Sequence, residues 1–86
     1  MIYLVDKPSA EVAFRTAQGN QEVTLVLIQD GVLLEPGESV PAVDVPVYAV
    51  ERDVEVRGVD LPPEIEPITY DRLMRLVIED GVKSFV

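Results

Sequence analysis

Cysteine and histidine are both absent from this chain of 86 residues. Without cysteine there is no disulfide, no thiolate metal site, and no persulfide or thioester carried on this chain. Without histidine the commonest general base and metal ligand is gone. Nucleophilic chemistry would have to rest on Ser, Thr, Lys, Tyr or a carboxylate, and no nucleophile is visibly paired with a base. Positive charge is scarce as well: 7 Lys and Arg stand against 16 Asp and Glu, for a net charge of -9. Neutralising phosphates requires clustered cations. Arg15, Arg52, Arg57, Arg72 and Arg75 are instead interleaved with acids, so direct nucleic-acid binding is not expected. No apolar run approaches the length of a membrane span. The opening "MIYLVDKPSA" lacks the basic start and apolar stretch of a secretory signal. A cytoplasmic protein without cofactor is the expectation.

Apolar residues, by contrast, make up 48% of the chain, too many for disorder despite the charge. The length fits a single domain over 1–86. A chain so short buries only about 60–65% of the surface its unfolded form exposes, so its own core is thin and part of the apolar surplus is expected to meet a partner subunit. Strand candidates are "IYLV" (2–5), "VTLVLI" (23–28), "VPVYAV" (45–50), a stretch within "LPPEIEPIT" interrupted by Pro67, and "VKSFV" (82–86). The second is continuously apolar, as befits a strand covered on both faces of a parallel sheet. Pro67 suits an edge strand, since it offers no donor to a neighbour.

Helices are expected in "SAEVAFRTAQG", with Ser9 as N-cap and Gly19 just past the end, and in "YDRLMRLVIEDG". In the latter Asp71 is read as the cap, Leu73, Met74, Val77 and Ile78 as the inward face, and Asp71–Arg75 and Arg75–Glu79 as i,i+4 pairs. The stretch 33–44 holds Pro36, Gly37 and Pro41 and has no room for a full crossover helix. Periodicity leaves "ERDVEVRG" open between a strand and a single helical turn. Strands alternating with helices around an apolar central run imply a small three-layer α/β sandwich with a mostly parallel sheet.

Three places deserve testing for chemistry. Asp30-Gly31 ends the most apolar strand, where open α/β sheets bind ligands. A carboxylate there positions a substrate, or Asp-Gly merely turns the chain, with Asp30 accepting backbone hydrogen bonds and Gly31 permitting a close approach or a positive φ. Glu51 and Asp53, flanking Arg52, are either paired carboxylates or a solvated rim neutralised by Arg52 and Arg57. Lys7 follows the first strand, but no Gly-rich phosphate loop accompanies it. Tyr3, Tyr48 and Tyr70 border apolar runs and read as partly buried, with the hydroxyl at an edge.

Several blocks together resemble the DsrH/TusB family of small sulfur-relay proteins. "LVLIQDGV" (25–32) is similar to that family's strand followed by (Gln/Glu)-Asp-Gly-Val, matched by Asp30, Gly31 and Val32. "VPVYAVERDVEVRGV" (45–59) carries Tyr48, Ala49, Asp53, Arg57 and Gly58 at the positions of its second signature. "ITYDRLMRLVIED" (68–80) resembles its Tyr-led last helix, through Tyr70, Leu76 and Val77. Tyr3 stands where the family usually has His, Phe85 where TusB chains commonly have Trp, and the 33–44 crossover is shorter than usual. The resemblance implies a DsrE-like (flavodoxin-like) fold with a shortened second crossover, and a helical turn in "ERDVEVRG". It also implies hetero-oligomers with DsrE/DsrF-like or TusD/TusC-like subunits, in which cysteines on sister chains pass persulfide sulfur. The end point is the 2-thiouridine of tRNA wobble positions in Tus systems, or dissimilatory sulfur metabolism in Dsr systems. A stand-alone small-molecule-binding or regulatory module is the alternative.

The isolated chain is expected to self-associate, with Val32, Leu33 and Leu34, or the outer side of the last helix, as contact surfaces. The missing thiol gives the first test. After incubation with a cysteine-desulfurase sulfur donor, the intact mass of this chain stays unchanged, because no thiolate is present to hold a second sulfur. A covalent mass gain of one sulfur atom contradicts this.

Overall fold

The computed structural model describes residues 1–86. Five strands form one sheet: β1 (Ile2–Val5), β2 (Thr24–Leu27), β3 (Val47–Val50), β4 (Ile65–Ile68) and β5 (Val82–Phe85). Their order is β4-β3-β2-β1-β5 and every neighbouring pair is parallel. Three helices connect them: α1 (Ala10–Ala17), α2 (Glu51–Arg57) and α3 (Tyr70–Asp80). The fold is the three-layer α/β sandwich expected of a DsrE-like chain.

Parallel register and the two-residue alternation of a strand assign each side chain to a face. Tyr3, Val5, Leu25, Leu27, Val47, Ala49, Ile65 and Phe85 point to one face. There they pack with Ala10, Ala13, Phe14 and Ala17 of α1 in a single buried cluster. Tyr3 and Phe85, on neighbouring strands, hold their ring centroids 4.8 Å apart. The 34–45 crossover adds Leu34, Val40 and Val45 to this cluster, and α2 adds Val54. The opposite face holds a smaller core of Ile2, Val26, Val50, Ile68 and Leu73, covered by α3 alone.

Crossover handedness explains the imbalance. Moving from β1 through β2 and β3 to β4, the chain steps one way across the sheet; from β4 to β5 it returns the other way. Crossovers that share one hand, as right-handed βαβ units almost always do, must then put the first three connections on one face and the last on the other. An 11-residue helix cannot roof five strands. Leu4, Ile28 and Tyr48 remain only half-buried on its side.

Local chemistry places the ends. Gly19 (φ +75°) and Gly58 (φ +61°) follow α1 and α2 in the left-handed region, where glycine avoids a Cβ clash. Pro67 lies on the edge strand β4, where no neighbour needs its missing donor. The "ERDVEVRG" stretch is helical, as the family resemblance implied.

Several expectations are corrected. Thr69, not Asp71, caps α3: its Oγ1 accepts from Arg72 N at 3.3 Å, and Asp71 lies in the first turn, where a carboxylate complements the helix dipole. Ser9 holds the N-cap position of α1 but donates its hydroxyl to the Val86 carbonyl at 3.1 Å instead of capping. Neither Asp71–Arg75 nor Arg75–Glu79 forms an ion pair. Arg72 does, at 3.7 Å from Glu66 of β4, because it projects over the sheet while Arg75 projects into water. The inward side of α3 is Leu73, Leu76 and Val77; Met74 and Ile78 are exposed, at 47% and 83%. A helix resting on a flat sheet buries a narrow stripe, and each step along the chain turns about 100° away from it.

The 32–34 patch is also overturned. Val32 and Leu34 are buried, because the crossover that follows folds back over α1's side of the sheet, and only Leu33 stays exposed. The orientation of α3 can be checked by denaturant unfolding. Leu73→Ala should cost about 2–4 kcal/mol and Ile78→Ala no more than about 0.5 kcal/mol. Equal losses would show that the helix is turned otherwise.

Candidate functional site

β2 leaves the sheet through a tight 3-10 turn, Gln29–Leu33. Gln29 has φ +50°, a conformation that costs a non-glycine residue on the order of 1 kcal/mol. Its amide is held by Asp53 of α2, whose Oδ2 accepts at 2.9 Å. Arg57, one helical turn after Asp53, ties the two segments together. Its Nη1 lies 3.4 Å from Asp53 Oδ1 and its Nε donates to Asp30 Oδ1 at 2.9 Å.

Exposure ranks these contacts. The Asp53 side chain is 14% exposed and that of Arg57 26%, whereas that of Asp30 is 61% exposed. The Asp30 pair is therefore largely screened and contributes little, while Asp53 satisfies a backbone donor and a guanidinium in a drier place. The turn around Asp30 is closed by backbone groups, Gly31 N donating to the Ile28 carbonyl at 2.8 Å and Leu34 N to the Gly31 carbonyl at 3.1 Å. Asp30 thus faces Arg57 and not the backbone.

Gly31 is required for closeness. The end of β1 abuts it, and a Cβ built there would overlap the Val5 carbonyl oxygen. That same oxygen accepts from Ile28 N at 3.0 Å, so it cannot move away freely.

The position of this turn bears on the question of chemistry. Open α/β sheets bind ligands where neighbouring connections leave for opposite faces. The connections after β2 and β3 both lie on the α1 side, so no crevice opens between them at Asp30. Opposite departures meet between β3, whose connection lies on the α1 side, and β4, whose connection α3 lies on the other. At the ends of β1 and β5, Asp6 N donates to the Phe85 carbonyl at 2.9 Å and the Ser9 hydroxyl to the Val86 carbonyl at 3.1 Å.

The surface has no pocket, and nowhere do three Asp or Glu side chains converge to hold a metal ion. Glu51 and Arg52 are exposed and outside the network, as is Lys7. In the irregular crossover just after the turn, a hydrogen bond and charge repulsion from Glu38 push the Glu35 carboxyl above its usual pKa. The arrangement is a latch between a strained turn and a short helix.

A family model described as "DsrH like protein" matches residues 6–82, from the residue after β1 to the first residue of β5. The chain belongs to the DsrH-like family. No curated protein matches it significantly. Within this DsrH-like fold Asp30, Gly31, Asp53 and Arg57 come together in the latch, with Val32 beneath it in the core. Gly58 ends α2 behind them. Tyr48 and Tyr70 lie apart, on the α3 side of the sheet. The Tyr48 ring lies under the Arg72 guanidinium, 5.5 Å from it, and Tyr70 is half exposed at the start of α3.

The strained Gln29 and its bond to Asp53 escape a reading by sequence. "QDG" signals a turn, but nothing in it names the carboxylate 24 residues later that holds its amide.

The ranking yields three stability predictions. Asp53→Ala should cost about 1–2 kcal/mol, since it strips both partners. Asp30→Asn should cost less than about 1 kcal/mol. Gly31→Ala should cost at least about 2 kcal/mol through overpacking against backbone. Thermal or urea melts measure all three, and an Asp30→Asn loss larger than that of Asp53→Ala would contradict the account.

Proposed function

We propose that this DsrH-like protein is a non-catalytic subunit of a sulfur-relay complex. It assists persulfide transfer between cysteine-bearing DsrE/DsrF-like or TusD/TusC-like sister chains in the cytoplasm. The finer reading places it in 2-thiolation of the tRNA wobble uridine. The observation that carries the proposal is the family match on a chain with no cysteine. Membership supports the relay, and the missing thiol assigns the mobile sulfur to another chain.

The latch suits that role. It gives a thin domain a fixed turn and a fixed short helix at the carboxyl ends of β2 and β3, without a cavity of its own. The alternative, a stand-alone small-molecule-binding module, needs a concave site to enclose its ligand, and the surface offers none. No helix is long and apolar enough to cross a membrane.

The experiment is reconstitution. The sister subunits, loaded with labelled persulfide, are mixed with an acceptor in the presence and absence of this chain. Stable co-purification and a rise of about tenfold or more in transfer are expected, a change of roughly 1.4 kcal/mol in the barrier. Absence of both association and rate effect overturns the proposal.

A further inference from the structure

Aspartate precedes glycine twice in this chain, in "QDGV" (29–32) and "EDGV" (79–82). Such a pair carries a chemistry of its own, because glycine has no side chain to hinder its amide nitrogen. That nitrogen can attack the Cγ of the aspartate before it. The new N–Cγ bond closes a five-membered succinimide, and the amide hydrogen and the carboxyl hydroxyl leave as water. Water then reopens the ring. Attack at Cγ restores aspartate, whereas attack at the main-chain carbonyl carbon leaves the chain running through Cγ, as isoaspartate of the same mass. No oxidant, metal or enzyme is needed. The backbone must, however, swing the glycine nitrogen out of its helical geometry and onto the carboxyl.

The two pairs are alike in most respects. The Asp30 and Asp80 side chains are 61% and 53% exposed. Asp30 Oδ1 accepts from Arg57 Nε at 2.9 Å, and Asp80 Oδ2 from the terminal ammonium of Met1 at 2.6 Å. Solvent screens both contacts. Each glycine N–H donates back along its turn, Gly31 to the Ile28 carbonyl at 2.8 Å and Gly81 to the Val77 carbonyl at 2.9 Å. Each glycine carbonyl also accepts one backbone N–H, from Leu34 at 3.1 Å and from Ile2 at 2.9 Å. Neither ion pairing nor hydrogen bonding separates the two.

Packing separates them. Gly31 is buried against the end of β1, where even a Cβ would overlap the Val5 carbonyl oxygen, and Val32 beside it lies in the core. Swinging the Gly31 nitrogen drags this packed turn off its neighbours. Gly81 is exposed, as are Glu79, Asp80 and Val82. A Cβ built on Gly81 would come no closer than 3.7 Å to the flexible Met1 side chain. Asp80 is the last residue of α3, and helix ends fray at little cost.

We infer that Asp80-Gly81 is a spontaneous isoaspartate site of the folded protein, whereas Asp30-Gly31, with the same sequence chemistry, is held shut by its turn. The product inserts one methylene into the main chain between α3 and β5, next to the point where Ile2 pairs with Val82. The inference concerns the lone chain and does not rest on the sulfur-relay reading. Purified wild type is aged at neutral pH, folded and in urea. Isoaspartate at each position is followed by peptide mapping with electron-transfer fragmentation, which distinguishes the two isomers at equal mass. In urea both sites should react at similar rates. In the folded protein Asp80 should outpace Asp30 by about tenfold or more. Asp80→Glu, which keeps the carboxylate but needs a six-membered ring, should remove the signal at that position. Equal rates in the folded protein, or a faster Asp30, overturn the inference. So does a folded protein in which neither site reacts although both do in urea.

Discussion

The handedness of parallel crossovers governs the rest of this structure. Once the sheet order is β4-β3-β2-β1-β5, one hand for every connection places three of them on one face and a single helix on the other. The chain can shorten its second connection to a proline-rich loop because two neighbours share the work of covering that face. It has no such reserve on the other. α3 must lie alone across the sheet, and a helix alone there leaves strips uncovered beside it. The thin second core, the half-buried Leu4 and Tyr48 and the exposed flank of α3 are consequences of one topological choice.

The same choice separates the turn after β2 from ligand chemistry. Connections that depart toward one face leave no crevice between their strands, so Asp30 ends a strand at a filled surface. What the residues there do is mechanical. Asp53 holds the strained Gln29 amide, Arg57 bridges the turn to α2, and Gly31 lets the turn sit against β1. Membership of the DsrH-like family supports a sulfur-relay-type role, and the chain has neither thiol nor imidazole.

Much of the fold was legible in the sequence, because its strongest signals are local. "IYLV" and "VTLVLI" are apolar runs bounded by polar turns, and they became β1 and β2. Proline density ruled out a crossover helix in 33–44. Pro67 marked an edge. The errors arose where a residue's role depends on a partner distant in the chain. Whether Met74 or Leu76 faces inward depends on how α3 rests on strands that precede it by tens of residues, and an amphipathic pattern with a broad apolar arc fits either phase. Whether Leu34 is a patch or part of the core depends on where the crossover returns. Asp30 and Arg57 stand far apart in sequence, and only the side-by-side packing of the β2 turn and α2 joins them.

The central claim is that the two faces of the sheet are covered unequally, one by α1, α2 and the crossover and the other by α3 alone. Backbone hydrogen exchange followed by mass spectrometry tests it most directly. Local stability follows the apolar contacts an element makes, so α3 should exchange faster than α1 and β2. Equal protection of α1 and α3 would show that a single helix covers its face as well as the other is covered and would contradict the account.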